Sequence, residues 1–292
     1  MDSPEVFDFL FREAVTAIDA GDVATLERLL TEHPELLRDR LDSPGAWLRD
    51  QVGNALEGFF SRPYLLWFVA EDPIRNGKLP PNIAEAAGAI IQAARREGVA
   101  SLQEQLDYAL RLVSWSWIAR ECGVQIPLID TLIDAGAAPD GNPDNALVNG
   151  NFAAAEHLVE RGATLTLATA LGLERWDDVA RLASTASAGE KQFGLVLAAL
   201  NGKADALRRM IDLGADVNRP SADLYSHATP VHHAVGSGCL EAVRALVDAG
   251  ADLSARDTVW NATPLDWAEY YRGEHQHDAR GQRYTEIAAY LR

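Results

Sequence analysis

The chain has 292 residues, enough for one or two globular domains or for a linear stack that needs no such division. Acids outnumber bases 43 to 26, and the net charge of −17 argues against a nucleic-acid backbone or an anionic membrane surface as the ligand. Hydrophobic residues make up 48% of the chain, ordinary for a folded protein, yet no apolar run approaches the length of a membrane span.

Residues 5–38 fit a first helix pair, FDFLFREAVTAIDAGD then VATLERLLTEHPELL, with Gly21 at the turn and Leu26, Leu29 and Leu30 as the second helix's stripe. Residues 39–61 break the pattern and read as an extended loop with a short helix, held by Trp47, Phe59 and Phe60. Residues 62–99 fit a degenerate pair in which Tyr64–Ala70 replaces the opening turn. The connection DPIRNGKLPPN then contains Pro73, Pro80 and Pro81, which stop any helix crossing it. Residues 102–138 read as a pair with an unusually long first helix, LQEQLDYALRLVSWSWIAREC. Shorter pairs follow from residue 144, then over 190–217, 228–253 and 262–292. The last carries RGEHQHDARGQ as an insertion before a closing helix RYTEIAAYLR.

The clearest pair explains the others. Proline at Pro230 and Pro264 suits a first helical position, and the threonine before each can cap. Leu240, Val243, Leu246 and Val247 recur at helical spacing with Glu241, Arg244 and Asp248 between them, giving one buried stripe and one wet face. Gly250 then supplies a left-handed residue that closes the helix. Leu207, Met210 and Ile211 repeat the stripe before Gly214, as Leu128, Ile129, Leu132 and Ile133 do before Gly136. A unit this small cannot bury its own apolar face, so the units must stack.

Thr229-Pro230-Val231-His232-His233-Ala234, the glycines Gly236 and Gly238, and the ending Asp248-Ala249-Gly250-Ala251-Asp252 resemble the ankyrin repeat. The endings Asp212–Asp216 and Asp134–Ala137 match closely, and Glu160–Ala163 less fully. Gly214 and Gly250 lie 36 residues apart against a family period of about 33. Good matches fall in 190–271, fair ones in 1–38 and 126–164, and poor ones in 39–125. The resemblance implies an all-α solenoid of about eight stacked helix-turn-helix pairs, a single solenoid over 1–292. It would have an N-terminal capping repeat at 1–38, divergent repeats with insertions over 39–125, regular repeats over 126–253 and a C-terminal capping repeat with an insertion over 254–292.

Candidate chemistry is sparse. The family's motif histidine matches His232, where it ties neighbouring turns by hydrogen bonds, and His233 beside it reads as packing. His275, His277 and Asp278 have metal-ligand residue types but lie in a glycine-flanked polar loop, so no metal site is expected. Cys122 and Cys239 support neither a disulfide framework nor a zinc spacing. With an acidic N-terminus unlike a secretory signal, they point to reduced thiols and a cytosolic setting. Lysine occurs only at Lys78, Lys191 and Lys203, and the excess of Arg, Ala, Gly and Asp suggests a GC-rich bacterial genome. Neither a phosphate-cradling glycine loop nor a nucleophile elbow occurs, and no catalytic residue or cofactor is expected.

In the ankyrin family, ligands meet the finger-like loop tips and the exposed end of each first helix. Carried over residue by residue, the helix sites are Asn149, Leu200, Asn201, Ser237, Tyr270 and Tyr271, and the finger sites Tyr225, His227, Arg256 and Trp260. That mixture suits a protein or peptide partner, and the negative charge suits either a basic partner or, more simply, solubility. Alternatively, Tyr225, Trp260, Tyr270 and Tyr271 pack on one another and finish the core. A rival reading places an enzyme or small-molecule pocket in 39–125, among Trp47, Phe59, Phe60, Tyr64, Trp67, Trp115 and Trp117, with Arg49, Asp50, Glu57, Glu71 and Asp72 as its polar groups.

Overall fold

A computed structural model describes residues 4–292 of the chain; the first three residues of the expected N-terminal repeat lie outside the described residues. Among the described residues every regular element is a helix, and none is long and apolar enough to cross a membrane. The chain divides into two compact units, Met1–Thr164 and Leu165–Arg292. Each unit is by itself a stack of four helix pairs if one 3-10 turn of the first is counted as a first helix.

The second unit is the regular one. Its first helices, Leu167–Gly172, Ala188–Leu200, Pro230–Gly236 and Pro264–Glu274, pack each on the next. The second helices Ala204–Asp212, Leu240–Asp248 and Ala279–Leu291 form a parallel series behind them. Leu171, Leu195, Leu207, Met210, Val231, Val243, Leu246 and Ile287 fill the space between and are buried. Each large aliphatic side chain withdrawn from water in this way contributes about 1.5–3 kcal/mol. Gly250 takes φ +90°, its N–H donates to Val247 O at 2.9 Å, and Ala251 N donates to Leu246 O at 3.0 Å, closing the helix as its sequence requires.

The two Thr-Pro starts differ. Thr263 caps Pro264–Glu274 in a reciprocal box with Asp266, whereas the Thr229 hydroxyl lies 2.7 Å from His232 Nδ1 and makes no cap. The insertion expected in the last pair is largely helical. Pro264–Glu274 runs past Tyr271, and the next helix starts at Ala279. The rings of Tyr271, His275 and Tyr284 stack across the turn, and Asp278 caps the second helix through Arg280 N at 2.7 Å.

The first unit keeps the stacking order with improvised parts. Pro4–Ala20 and Val23–Glu32 form the opening pair, turning at Gly21 with φ +68°. Asp8 Oδ1 then accepts from Gly45 N and from Trp47 Nε1, each at 2.8 Å, and so holds the short helix Ala46–Val52. Leu65–Ala70 is a 3-10 helix lying against both Pro4–Ala20 and Leu102–Trp115, the place a first helix would take. Its partner Ile83–Arg96 packs between Val23–Glu32 and Gln125–Asp134. The long helix expected from Leu102 to Cys122 is broken at Ser116. That residue is extended at ψ 106°, and its hydroxyl accepts from Ala119 N to start a separate helix, Trp117–Glu121. Trp117, one of the aromatics of the rival pocket, is consequently 48% exposed.

The loop after the 3-10 helix is organised by buried charge. Glu71, 1% exposed and left-handed at φ +51°, accepts from Arg75 N and Gly77 N at 2.9 Å each and also from Asn76 N. The Arg75 guanidinium lies 2.9 Å from Glu71 Oε2, donates to Asp19 at 2.7 and 2.9 Å, and covers the Phe68 ring. Asp72 has no such partner. Burial first, and then the neighbouring Glu71 charge, push its pKa up to about 6. A carboxyl whose folded pKa is raised adds stability below its unfolded pKa of 3.8 that is lost as pH rises through about 6. Asp72→Asn is therefore expected to stabilise the first unit at pH 7 by up to roughly 3 kcal/mol and to be nearly neutral at pH 4. Hydrogen exchange of the 83–96 and 102–115 amides at the two pH values measures this. Equal stability of the two proteins at pH 7 would contradict it.

Candidate functional site

The fingers of the second unit, residues 215–228 and 251–263, are pinned by a few polar contacts. Asn218 bridges their bases, donating to Gly250 O at 3.1 Å and accepting from Asp252 N at 2.7 Å. Higher up, Thr258 N donates to His227 O at 2.8 Å. His232 Nε2 lies 3.1 Å from Ala262 O, so this nitrogen carries the proton and Nδ1 accepts from Thr229. The structural role that the resemblance implies for His232 is thus present in the geometry, and it joins one repeat to the next finger.

Asp257 organises the finger tip. Its carboxylate is 2% exposed and accepts from Val259 N at 2.9 Å, Trp260 N at 2.7 Å, Ala262 N at 3.1 Å and the Trp267 indole N–H at 3.0 Å. Burial alone would raise its pKa. The hydrogen bonds outweigh burial and hold the group down at about 2, so it is ionised at neutral pH. The backbone of Val259–Ala262 is wrapped around a fixed negative charge.

This wrapping holds Trp260 66% exposed, with its ring 5.7 Å from Trp267 at 71° and 5.6 Å from His227 at 84°. Trp267 continues the surface to Tyr271 at 6.2 Å, and Tyr271 lies 5.4 Å from Tyr270, itself 63% exposed. Trp260, Ala262, Asp266, Trp267, Tyr270 and Tyr271 together line a cleft of about 450 Å³. Asp266 stands at its edge. Its Oδ2 accepts from Thr263 N and Oγ1, both at 2.8 Å, and lies 3.8 Å from Arg256 Nη1.

Nine of the ten predicted contact residues fall into three groups in the second unit, and Asn149 lies in the first unit. Trp260, Tyr270 and Tyr271 share the cleft, with Arg256 beside Asp266; Arg256 also donates to Asn261 O at 2.6 Å. Tyr225 (49% exposed) and His227 stand on the neighbouring finger, 6.3 Å apart. Leu200, Asn201 and Ser237 are half-buried at first-helix ends, where Asn201 Nδ2 donates to Leu197 O at 3.1 Å and Ser237 Oγ to Ala234 O at 2.7 Å. Asn149 is exposed in the other unit and donates to Asn145 O at 3.1 Å. Of the tyrosines, Tyr271 packs inward on Tyr284 at 5.1 Å, while Tyr225 and Tyr270 face solvent. Trp267, Asp257 and Asp266 were not among the expected site residues. The Asp-x-x-Trp spacing of RDTVW, an acid able to turn back on the two amides that follow it, was the available signal.

The rival region reads differently. Trp67 is 4% exposed and packed by Tyr108, Tyr64 and Phe60 at 4.4, 5.4 and 6.2 Å. Phe60 and Tyr64 are buried with it, so side chains occupy the space around this indole. Arg49, Asp50 and Glu57 are exposed, whereas Glu71 is buried in its loop. In the His275–Asp278 turn, the Asp278 carboxylate accepts from Arg280 and contacts His275 Nδ1 at 3.2 Å, the pattern of a helix start.

His233, 3% exposed among Tyr225, His227 and Trp267, should titrate abnormally. Burial, then the adjacent His227, depress its pKa to about 4, and burial also lowers that of His232. Below pH 6.5 the unfolded chain takes up protons that the folded ring refuses. Stability of the second unit is therefore full above 6.5 and falls by up to roughly 3 kcal/mol as pH drops to about 4, the opposite sign to Asp72 in the first unit. An NMR titration of the His233 ring should give a midpoint near 4, and amide exchange within 165–292 should accelerate over that interval. A midpoint near 6.5 would refute the assignment.

Parts of the chain resemble known proteins. A family model of ankyrin repeats in three copies matches residues 146–257 and 195–277. The potassium channel KOR1 of Oryza sativa subsp. japonica is 40% identical over 72 residues, and the potassium channel GORK of Arabidopsis thaliana 36% over 67. These stretches are 25% and 23% of this chain and 8% of each channel, so the chain spans a small fraction of either relative. Among solved structures, the human ASB11 ankyrin repeat domain aligns with 70% of this chain and 94% of its own, at 19% identity and a TM-score of 0.33. The family match shows that residues 146–277 of this chain are built of ankyrin repeats.

Proposed function

We propose that the chain is a non-enzymatic binding protein that grips a protein or peptide partner on the finger surface of residues 165–292. Ankyrin repeats are generally protein–protein interaction modules, and this reading gives the role a location. The observation that carries it is the exposure of Tyr225, Trp260 and Tyr270, at 49%, 66% and 63%, on backbone tied down by Asp257 and its neighbours. Large aromatics held in place and left uncovered are typical hot spots of recognition. Arg256 and His227 supply polar contacts at the rim, and Leu200, Asn201 and Ser237 extend the same row along the helix ends. A cytosolic setting, with Cys122 and Cys239 as free thiols, belongs to the same proposal.

The test is capture from extract of the native host, followed by affinity measurement with the purified partner. Tyr225→Ala and Trp260→Ala should each weaken binding at least about tenfold and in combination abolish it, with helical content and melting temperature unchanged. Undiminished binding by the double variant would place the contact surface elsewhere.

A further inference from the structure

The cleft of the last repeat combines features that select a particular kind of side chain. Trp260 and Trp267 meet at 71°, and Tyr270 and Tyr271 at 69°, so several ring faces of different orientation border one space of about 450 Å³. Ring faces are electronegative and attract a cation placed over them. The charges around the cleft reinforce this. Asp257, buried behind Trp267, accepts the indole N–H at 3.0 Å and places a negative charge at the ring's far edge. Asp266 forms part of the wall. Its Oδ2 is occupied by Thr263, and its side chain remains 57% exposed. One cation, Arg256, lies 3.8 Å from Asp266 but is tied to Asn261 O. Arg272, next to Tyr271 on the same helix, is paired with Glu269. The Asp266 contacts all fall on Oδ2; Oδ1 accepts no hydrogen bond from the described residues, so a cationic occupant would meet the rings and this oxygen together, whereas an apolar one would meet only the rings.

We infer that the cleft bordered by Trp260, Trp267, Tyr270 and Asp266 receives a cationic side chain, arginine or lysine, from a basic segment of the partner protein. The inference rests on the finger surface being the contact face and names the chemistry it reads. The net charge of −17 favours approach of such a segment at low salt.

The test uses the full chain and four small probes: N-acetyl-arginine amide, N-acetyl-lysine amide, and the neutral N-acetyl-citrulline amide and N-acetyl-norleucine amide. Saturable shifts of the Trp260 and Trp267 indole N–H resonances report binding. The cationic probes should bind about two- to fivefold tighter than their neutral counterparts, the gap narrowing at high salt. Trp260→Ala, in an exposed finger position that does not threaten the fold, should abolish the shifts at Trp267. Asp266→Asn should remove the cationic advantage and leave norleucine unaffected. If citrulline and norleucine bind as well as the cations, or if no probe shifts either indole, the inference falls. It would fall alone if Tyr225→Ala and Trp260→Ala still abolished partner capture, and the proposed contact face would then stand with a different occupant.

Discussion

The finger geometry of the last repeat depends on one buried carboxylate. Asp257 accepts three backbone N–H groups and the Trp267 indole N–H, and each of these would otherwise have to be satisfied by solvent or lost. A finger tip is too short to build a core, so nothing apolar can fix its conformation. A charge with four donors can, because an ionised acceptor makes bonds about twice as strong as a neutral one. Through these contacts the finger, the ring of Trp267 on the adjoining helix and the exposed ring of Trp260 become one rigid piece. His232 then ties the piece to the preceding repeat through Ala262 O.

The first unit meets the same requirement, covering a helix pair's apolar face, without the regular motif. Where a full first helix is missing, Leu65–Ala70 fills the row with six buried residues in a tighter 3-10 turn. The backbone that leaves it lacks helical hydrogen bonds, and the Glu71 carboxylate accepts three N–H groups in their place. A buried carboxylate needs a counter-charge, which Arg75 provides, and Arg75 in turn needs Asp19. Both units thus use a buried acid to shape a loop. In one the acid supports an aromatic surface, and in the other it mends a gap in a stack.

How much of this was legible follows from the kind of force involved. Helix pairs and their order were readable because apolar spacing is set by burial, and burial drives the stack; Leu240, Val243 and Leu246 are buried or half-buried as their spacing requires. Gly250 was readable because its left-handed backbone excludes most alternatives. The break at Ser116 was not, since a serine hydroxyl can lie along a helix or start a new one, and only the packing of Gln125–Asp134 against Leu102–Trp115 selects the second. The same break at Ser116 leaves Trp117, one of the aromatics of the rival pocket, in solvent. In the site, Trp260 and Tyr270 could be located by resemblance. Trp267 was masked by its helical spacing, which reads equally as core, and Asp257 by the abundance of acids elsewhere in a chain of such negative charge.

Rigidity is what separates Trp260 from a merely exposed aromatic. A free indole on a flexible loop must surrender conformational freedom on binding, at a cost of about 0.5–1.5 kcal/mol for the side chain and more for the backbone beneath it. Here the backbone is already ordered by Trp260 N on Asp257 and by Asn261 in a left-handed turn at φ +54°, whose carbonyl takes the Arg256 guanidinium. The ring leans on Trp267 and His227 and has few rotamers left to lose. Stability already gained in folding the last repeat therefore keeps the ring oriented, and the apolar area of Trp260 and Tyr270 stays in solvent, where under the proposed function a partner would bury it. In that proposed role, a firm hold combined with exposure is what a recognition anchor requires.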